Sequence, residues 1–368
     1  MSNLTFLDNA AHRQNLYPFT LLREAIDLPL GLLTLREKWS ALFPAAHPKK
    51  KFSRTIATAI LPDFERCQAI GSLKTEQSLF SKEGQWIASG GQIDRIPKKA
   101  TATDMIFPGS ISLIKYPWDL LDQLGRGIQL DFSILTKGRK SASLPQSVVV
   151  NGEFPVFLEK GARVMPCFLN TEAGPIYIGK GAEVQEGVMI RGPFLLGDRS
   201  VVKMGAKIYG PTAAGEHCLL GGEIKRSLLF PFSNKAHEGY MGDSVIGSWC
   251  NWGAGTSNSN LKNTAGDIEI EVGGVKLAVG QKAGVYMGDH SRTVINSSLN
   301  SGTVIGVSVQ VGNEGLPPKR MPSFRWIDGS RYRFQAAMNH IRQWKVLKGQ
   351  ELTSEEIDRL KKIYKTDK

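Results

Sequence analysis

The chain has 368 residues, 41% hydrophobic and 22% charged, with a formal net charge of +12. That is the composition of an ordinary globular protein with room for two domains, and no apolar run approaches the ~18 residues a membrane-spanning helix needs. The positive charge favours anionic ligands. With no basic run interleaved with stacking aromatics, a nucleic-acid partner is not expected; phosphorylated small molecules fit the charge as well.

The N-terminal MSNLTFLDNAAHRQ lacks a basic segment leading into an apolar core, so no signal peptide is expected. Cys67, Cys167, Cys218 and Cys250 are scattered without a C-x-x-C pair. They predict buried reduced thiols in a cytoplasmic protein, not disulfides or a metal site. Residues 1–105 read as a small α/β unit. LTFLDN predicts a strand, LTLREKWSALF a helix, RTIATAILPDF a second strand, and SLFSKEGQWIAS a hairpin around Glu83-Gly84. HPKKK (47–51) predicts a solvated loop, and residues 106–140, with IKYPWDLLDQL, a helical connector.

From Ile178 the chain divides into sixes: IGKGAE, VQEGVM, IRGPFL, LGDRSV, VKMGAK, IYGPTA, AGEHCL, LGGEIK. All the lead residues are large aliphatics except Ala214. The period returns at Tyr240, Ile246, Trp252 and Asn258, and again from Met287 to Val311; Leu158 and Val164 form a looser start. Neither a helix nor a single strand repeats at six. A parallel β-helix does: each hexad supplies a short strand and a corner, and three close a triangular coil. The lead side chains point inward and stack about 4.8 Å apart, and glycines allow tight corners. The hexapeptide form coils left-handed, an exception to the usual crossover rule. The predicted fold is therefore mainly β, a left-handed parallel β-helix over 141–318 between the N-terminal α/β domain and C-terminal helices.

Two breaks interrupt the period. Residues 226–239 are expected to leave the wall as an excursion, and 261–284 to extrude a hairpin, DIEIEVGGVKLAV, turning at Gly273-Gly274. Loops extruded from a solenoid are its usual functional additions. Beyond LPPKRMPSF, within 319–368, RYRFQAAMNHIRQWKVLKG predicts a helix ending at Gly349. LTSEEIDRLKKIYK predicts a second, opened by a Thr353/Glu356 capping box. Both are expected to cover the open edge of the last coil.

Residues 221–260 carry, in fixed order, Glu223-Ile224-Lys225, Asn234-Lys235-Ala236-His237, Tyr240, Gly242-Asp243 and Asn251-x-Gly253-Ala254-Gly255-Thr256. This order, with twelve residues from Lys225 to His237 and three more to Tyr240, resembles the acetyltransferase half of the bacterial bifunctional glucosamine-1-phosphate acetyltransferase/N-acetylglucosamine-1-phosphate uridylyltransferase family. The chain is closer still to the shorter sugar-nucleotidyltransferase-like relatives, whose marks stand here as FLDNAAHRQNLYPFT, LGLLTLREKW, IKYPWD, GPIYIG, MGAKIYGP, IGSWCNWGAGTSNSNLKN, MGDHS and GTVIGVS. The resemblance implies a homotrimer that uses acetyl-CoA to acetylate an amino-sugar 1-phosphate of the glucosamine 1-phosphate type, in the supply of nucleotide sugars for the cell envelope.

The residues carry that chemistry. N-acetylation needs a neutral amine, and a histidine can take its proton as it attacks a thioester, which makes His237 the expected general base. Lys225 pairs with the sugar phosphate and Tyr240 hydrogen-bonds it; Lys207 joins this clamp by resemblance. Asn251 and Asn260 are expected to bond sugar hydroxyls or the amine, although both, like Asn258, also suit turns. By resemblance Ala254 faces the acyl donor, and Asp289 and Val307 line the coenzyme A groove. His290 reads as structural or as a coenzyme contact.

Three departures stand against the family pattern. Leu261 occupies a position the bifunctional enzyme fills with tyrosine, and Lys235 and His237 are one residue closer together. DNAAHRQNLYPFTLLRE holds no glycine, whereas a nucleoside triphosphate and its magnesium need a Gly-rich loop. Residues 1–105 are therefore read as a degenerate nucleotidyltransferase-like domain, with magnesium expected only if it is active and with Arg13, Arg23 and Arg36 in structural roles. Two other readings are a sugar-1-phosphate nucleotidyltransferase and a non-catalytic trimeric scaffold that binds nucleotide sugars.

Overall fold

In the computed structural model, β1 (Asn3–Leu7), β2 (Ser53–Ala57), β3 (Ser78–Phe80), β4 (Trp86–Ser89) and β5 (Met105–Ile106) form one sheet in the order β1-β2-β4-β3-β5. β1 runs parallel to β2, and β3 with β4 makes the expected hairpin. The structure describes residues 3–8, 10–47, 53–312 and 315–367, so the lysines of the expected HPKKK loop lie outside the described residues. Helices α1 (Ala10–Asn15), α2 (Leu35–Ala46), α3 (Phe64–Ser72), α4 (Pro117–Asp122) and α5 (Leu124–Thr136) complete this region. α2 starts at a capping box between Thr34 and Glu37. The strand expected over 54–64 stops at Ala57, because Asp63 caps α3 by accepting the Arg66 N–H at 2.8 Å.

The remainder is a parallel β-solenoid of about ten turns. Its strands pair residues eighteen apart, Ile190 with Ile208 and Val201 with Leu219, as three hexads per coil require. Face I is a nine-stranded sheet ending at Arg320–Met321. Face II begins at Arg163–Val164 and includes Asn234–Lys235; face III begins at Val149–Asn151 and includes Lys207–Tyr209, Glu223–Lys225 and Tyr240–Gly242. Inward aliphatics such as Ile178, Val184, Ile190 and Leu196 are fully buried and make one continuous core. Each contributes roughly 1.5–3 kcal/mol by leaving water.

Face I is covered by the N-terminal region. Its outward Phe157, Tyr177, Leu195 and Tyr286 share a core with Leu28, Leu30, Leu121 and Leu124, so α4 and α5 lie between the sheet and the domain before them. The hairpin Glu269–Val272/Val275–Ala278 turns at Gly273-Gly274, both at positive φ, and buries Ile270 in the same core.

The C-terminal helices do more than close the last coil. α6 (Phe334–Val346) and α7 (Ser354–Thr366) bury Met338, Ile341, Leu360 and Ile363 against Val307 and Phe324, with the Thr353/Glu356 capping box in place. Just past α6, Lys348 reaches back to donate to the His217 carbonyl at 2.8 Å. It thereby follows a column of corners at positive φ whose rings stack, His217 on Phe232 at 4.8 Å and Phe232 on Trp249 at 4.2 Å. The four cysteines are buried free thiols. Among the described residues no helix is long and apolar enough to cross a membrane.

Candidate functional site

The broken period has a different origin from the one expected. Residues 226–239 do not leave the wall; the coil there is short. Ala213 pairs with Leu228 and Leu219 with Asn234, fifteen residues apart instead of eighteen. The corner between faces II and III shrinks from four residues (203–206) to Gly221-Gly222, and Arg226 alone replaces the Gly210-Pro211 corner. The next II–III corner, Ala236–Gly239, has its full four residues and folds down onto the two glycines. A Cβ on Gly221 would stand 2.3 Å from the Ala236 carbonyl oxygen, and one on Gly222 would stand 2.7 Å from that of Gly239. Only glycine fits beneath this overhang.

His237 sits on the overhang, exposed, with no hydrogen bond to its ring among the described residues. Its backbone is anchored from inside the coil. Lys235 takes the inward position above Leu220, is 1% exposed, and donates its ammonium hydrogens to the Gly221 carbonyl at 3.2 Å and to the His237 carbonyl. Burial lowers the Lys235 pKa to about 8, with Glu238 opposing. One coil on, Ala254 occupies the equivalent place and is half-buried, and the Gly255 N–H donates to the Glu238 carbonyl at 3.0 Å. The structure thus stacks His237 and Ala254 in adjacent corners.

Face III carries the next group. The hexad count returns at Tyr240, but the shortened corners shift the frame by one, so that Met241 faces the core and Tyr240 lies outward. Its phenol lies across the strand over Gly242, where a Cβ would stand 2.3 Å from Tyr240 Oη. Asn260 Nδ2 donates to Tyr240 Oη at 3.1 Å and to Asp243. Burial, reinforced by Asp243 and Glu223, raises the Tyr240 pKa and keeps the hydroxyl protonated. Lys225 and Lys207 are exposed on the same face, Lys225 paired with Gly242 and Lys207 two coils below Tyr240. Gly242→Ala should swing the phenol off the strand, break the hydrogen bond from Asn260 and lower stability by about 0.5–1.5 kcal/mol, measured by urea melts; unchanged stability would refute this placement.

The other expected residues lie elsewhere. Asn251 is on face II, where its Oδ1 accepts from Asn234 at 3.3 Å. Asp289 does not line a groove: it is 4% exposed and its carboxylate is taken by Arg23 and by the Ser248 N–H at 3.1 Å. Val307 is buried beneath the C-terminal helices. His290 is buried on the ring column, and burial, with Arg292, Lys345 and Arg23, lowers its pKa well below the usual value. Arg36 is held by Asp27 and Glu24.

A cleft opens where β1 and β2 end, a usual place for ligands of parallel sheets. It encloses about 320 Å³ and is lined by Asp8, His12, Thr58, Trp86 and Lys115, among others. His12, which the sequence reading did not single out, has Nδ1 2.7 Å from Asp8 Oδ1 and Nε2 2.7 Å from the Ile114 carbonyl. Burial alone would lower its pKa, but these two acceptors outweigh burial and raise it. Its signal was the His-Arg pair just after the first strand. Among the described residues no cluster of His, Cys, Asp and Glu could hold a metal ion.

Residues 4–140 match the family described as sugar nucleotidyl transferase. That match covers the sheet, the cleft, α4 and α5. The chain is also 36% identical over 90 residues to a bifunctional sugar-1-phosphate nucleotidylyltransferase/acetyltransferase of Sulfurisphaera tokodaii, covering 24% of this chain and 22% of that protein. It is 34% identical over 97 residues to the bifunctional protein GlmU of Methanococcus vannielii, covering 26% and 23%. The chain thus spans under a quarter of the length of these curated relatives. Among solved structures it is similar to a hexapeptide transferase family protein from Anaplasma phagocytophilum (15% identity, 60% of this chain and 94% of that one, TM-score 0.26) and to an Arabidopsis UDP-N-acetylglucosamine acyltransferase (14%, 61% and 88%, TM-score 0.22).

Proposed function

We propose that the solenoid is a sugar-phosphate N-acyltransferase that uses acetyl-CoA to acetylate an amino-sugar 1-phosphate of the glucosamine 1-phosphate type. The observation that carries this reading is one exposed imidazole, His237, on an overhanging corner next to Ala254 and beside an open face bearing Tyr240, Asn260, Lys225 and Lys207. Lys225, Lys207 and the Tyr240 hydroxyl hold the phosphate. Asn260 orients the acceptor, and the half-buried backbone of residues 253–255 receives the acyl donor. When bound, the donor supplies a thioester carbonyl. His237 takes the amine proton as the C–N bond forms and returns it to the thiolate released when the C–S bond breaks.

The reading includes a homotrimer. Face III leaves Val149, Phe168 and Met189 about half exposed, and a neighbouring solenoid would cover them while walling the acceptor site. Mixing purified protein with acetyl-CoA and glucosamine 1-phosphate should release free thiol, read with a chromogenic disulfide reagent. Absence of thiol with every amino-sugar phosphate tried would refute the acyltransferase and leave the scaffold reading.

The match over 4–140 and the cleft at the ends of β1 and β2 favour a second activity, nucleotidyl transfer to a sugar 1-phosphate. It is tested by pyrophosphate release from nucleoside triphosphates with magnesium.

A further inference from the structure

The face III site is wired to the end of α4 through a row of charged and polar groups. Asp122, at the end of α4, accepts from Arg226 Nη2 at 2.6 Å. Arg226 Nη1 donates to Asp243 Oδ1 at 2.7 Å. The other oxygen of Asp243 accepts from Asn260 Nδ2, which also donates to Tyr240 Oη at 3.1 Å. Asp243 has a side chain 2% exposed. Arg226 and Asp243 both occupy corners at positive φ, 45° and 48°, a backbone region that residues other than glycine occupy at a cost.

These contacts have a direction. An ionised carboxylate only accepts, so Asp243 requires the amide nitrogen of Asn260 to face it. That nitrogen has two hydrogens, and both are used, one on Asp243 and one on Tyr240 Oη. The amide is therefore held one way round, leaving its carbonyl oxygen for a ligand. Tyr240 Oη, already an acceptor, keeps its own hydrogen to donate.

We propose that Arg226, Asp243 and Asp122 are positioning residues that set the hydrogen-bond polarity of the acceptor site, so that Tyr240 donates to an anionic oxygen while Asn260 accepts from an N–H or O–H of the same ligand. A sugar carrying both a phosphate and a neighbouring amine or hydroxyl meets both conditions; a sugar without the anion meets only one. The inference rests on the reading of face III as the acceptor site. Asp122 belongs to the segment matched by the nucleotidyl transferase family, so a helix that joins that segment to the solenoid holds the geometry of the face III site.

The test uses the full-length chain with Asp122→Ala and Asp122→Glu. Asp122→Ala should raise KM for glucosamine 1-phosphate about three- to tenfold, leave kcat and the KM for acetyl-CoA within twofold, and shift the Tyr240 13Cζ resonance, assigned by its loss in Tyr240→Phe. Asp122→Glu, which keeps the carboxylate, should restore most of both. A resonance unmoved in Asp122→Ala overturns the proposal, even if the melting point falls, because a purely structural contact would behave that way. If the wild-type chain releases no thiol, the acyltransferase reading fails while the resonance still decides the positioning. Should Arg226→Ala fail to fold, Asp122, on a partly exposed helix end, remains testable.

Discussion

Asp131→Ala should destabilise the chain by about 3–5 kcal/mol, the largest single-substitution effect on folding expected here. Asp131 of α5 and Lys38 of α2 form an ion pair in which both side chains are 0% exposed. The second carboxylate oxygen accepts the N–H groups of Leu32 and Leu33 at 2.7 and 3.0 Å, and Lys38 also donates to the Leu33 carbonyl at 3.0 Å. Removing the carboxylate strands an ammonium and two amides in the core shared by the first domain and face I. The loss is a large share of the roughly 5–15 kcal/mol that holds a typical domain folded. Urea melts followed by tryptophan fluorescence provide the measurement, with buried Trp39 next to Lys38 as a local reporter. Asp131→Ala combined with Lys38→Met should recover part of the loss, since no unpaired charge remains. A single variant within 1 kcal/mol of wild type would contradict the arrangement.

That pair also marks what a sequence can and cannot show. Lys38 and Asp131 are 93 positions apart, and nothing in either local stretch names the other. The solenoid is legible for the opposite reason. Its contacts repeat at a fixed short distance, so Ile178, Val184, Ile190 and Leu196 disclose the coil by themselves. The same counting failed at 226–239, because a period breaks alike whether residues are inserted or removed. The glycines at 221 and 222 were the available signal that a corner had been cut, and Lys235 at an inward position was the signal that something polar lay under it. The frame shift explains why the hexad count returns at Tyr240 although Met241 occupies the inward place.

Spacing inside one corner survives such shifts: His237 lies in the corner that leads directly into the face III strand opened by Tyr240. Contacts between segments far apart in the chain leave no such local trace. Asp289 sits where Arg23, 266 positions earlier, claims its carboxylate, and Arg226 finds Asp122 across 104 positions. The cleft at the ends of β1 and β2 is a third case. The absence of a Gly-rich loop pointed to degeneracy, while His12, Thr58 and Lys115 converge only in space.

His237→Ala should lower kcat for acetyl transfer about 10²- to 10⁴-fold, the usual contribution of a positioned proton acceptor. The fold should be indifferent, because the ring is exposed and bonded to nothing among the described residues; the melting temperature should move by no more than a degree or two. Both KM values should hold within about threefold, since the proposed acceptor contacts, Lys225, Tyr240 and Asn260, do not involve the imidazole. Added imidazole should restore part of the rate at the truncated site, which a purely structural histidine would not permit. Lys235→Met separates the base from its support. A linear apolar side chain fills the inward place above Leu220 and removes a buried ammonium, so stability should hold or rise, but the His237 carbonyl loses its tether and the corner loosens over Gly221 and Gly222. That variant should lose roughly tenfold in kcat with no rescue by imidazole, since its base is present but less well placed. A His237→Ala enzyme working within tenfold of wild type would mean that the proton leaves by another route, and the overhanging corner would then be only a consequence of the short coil beneath it.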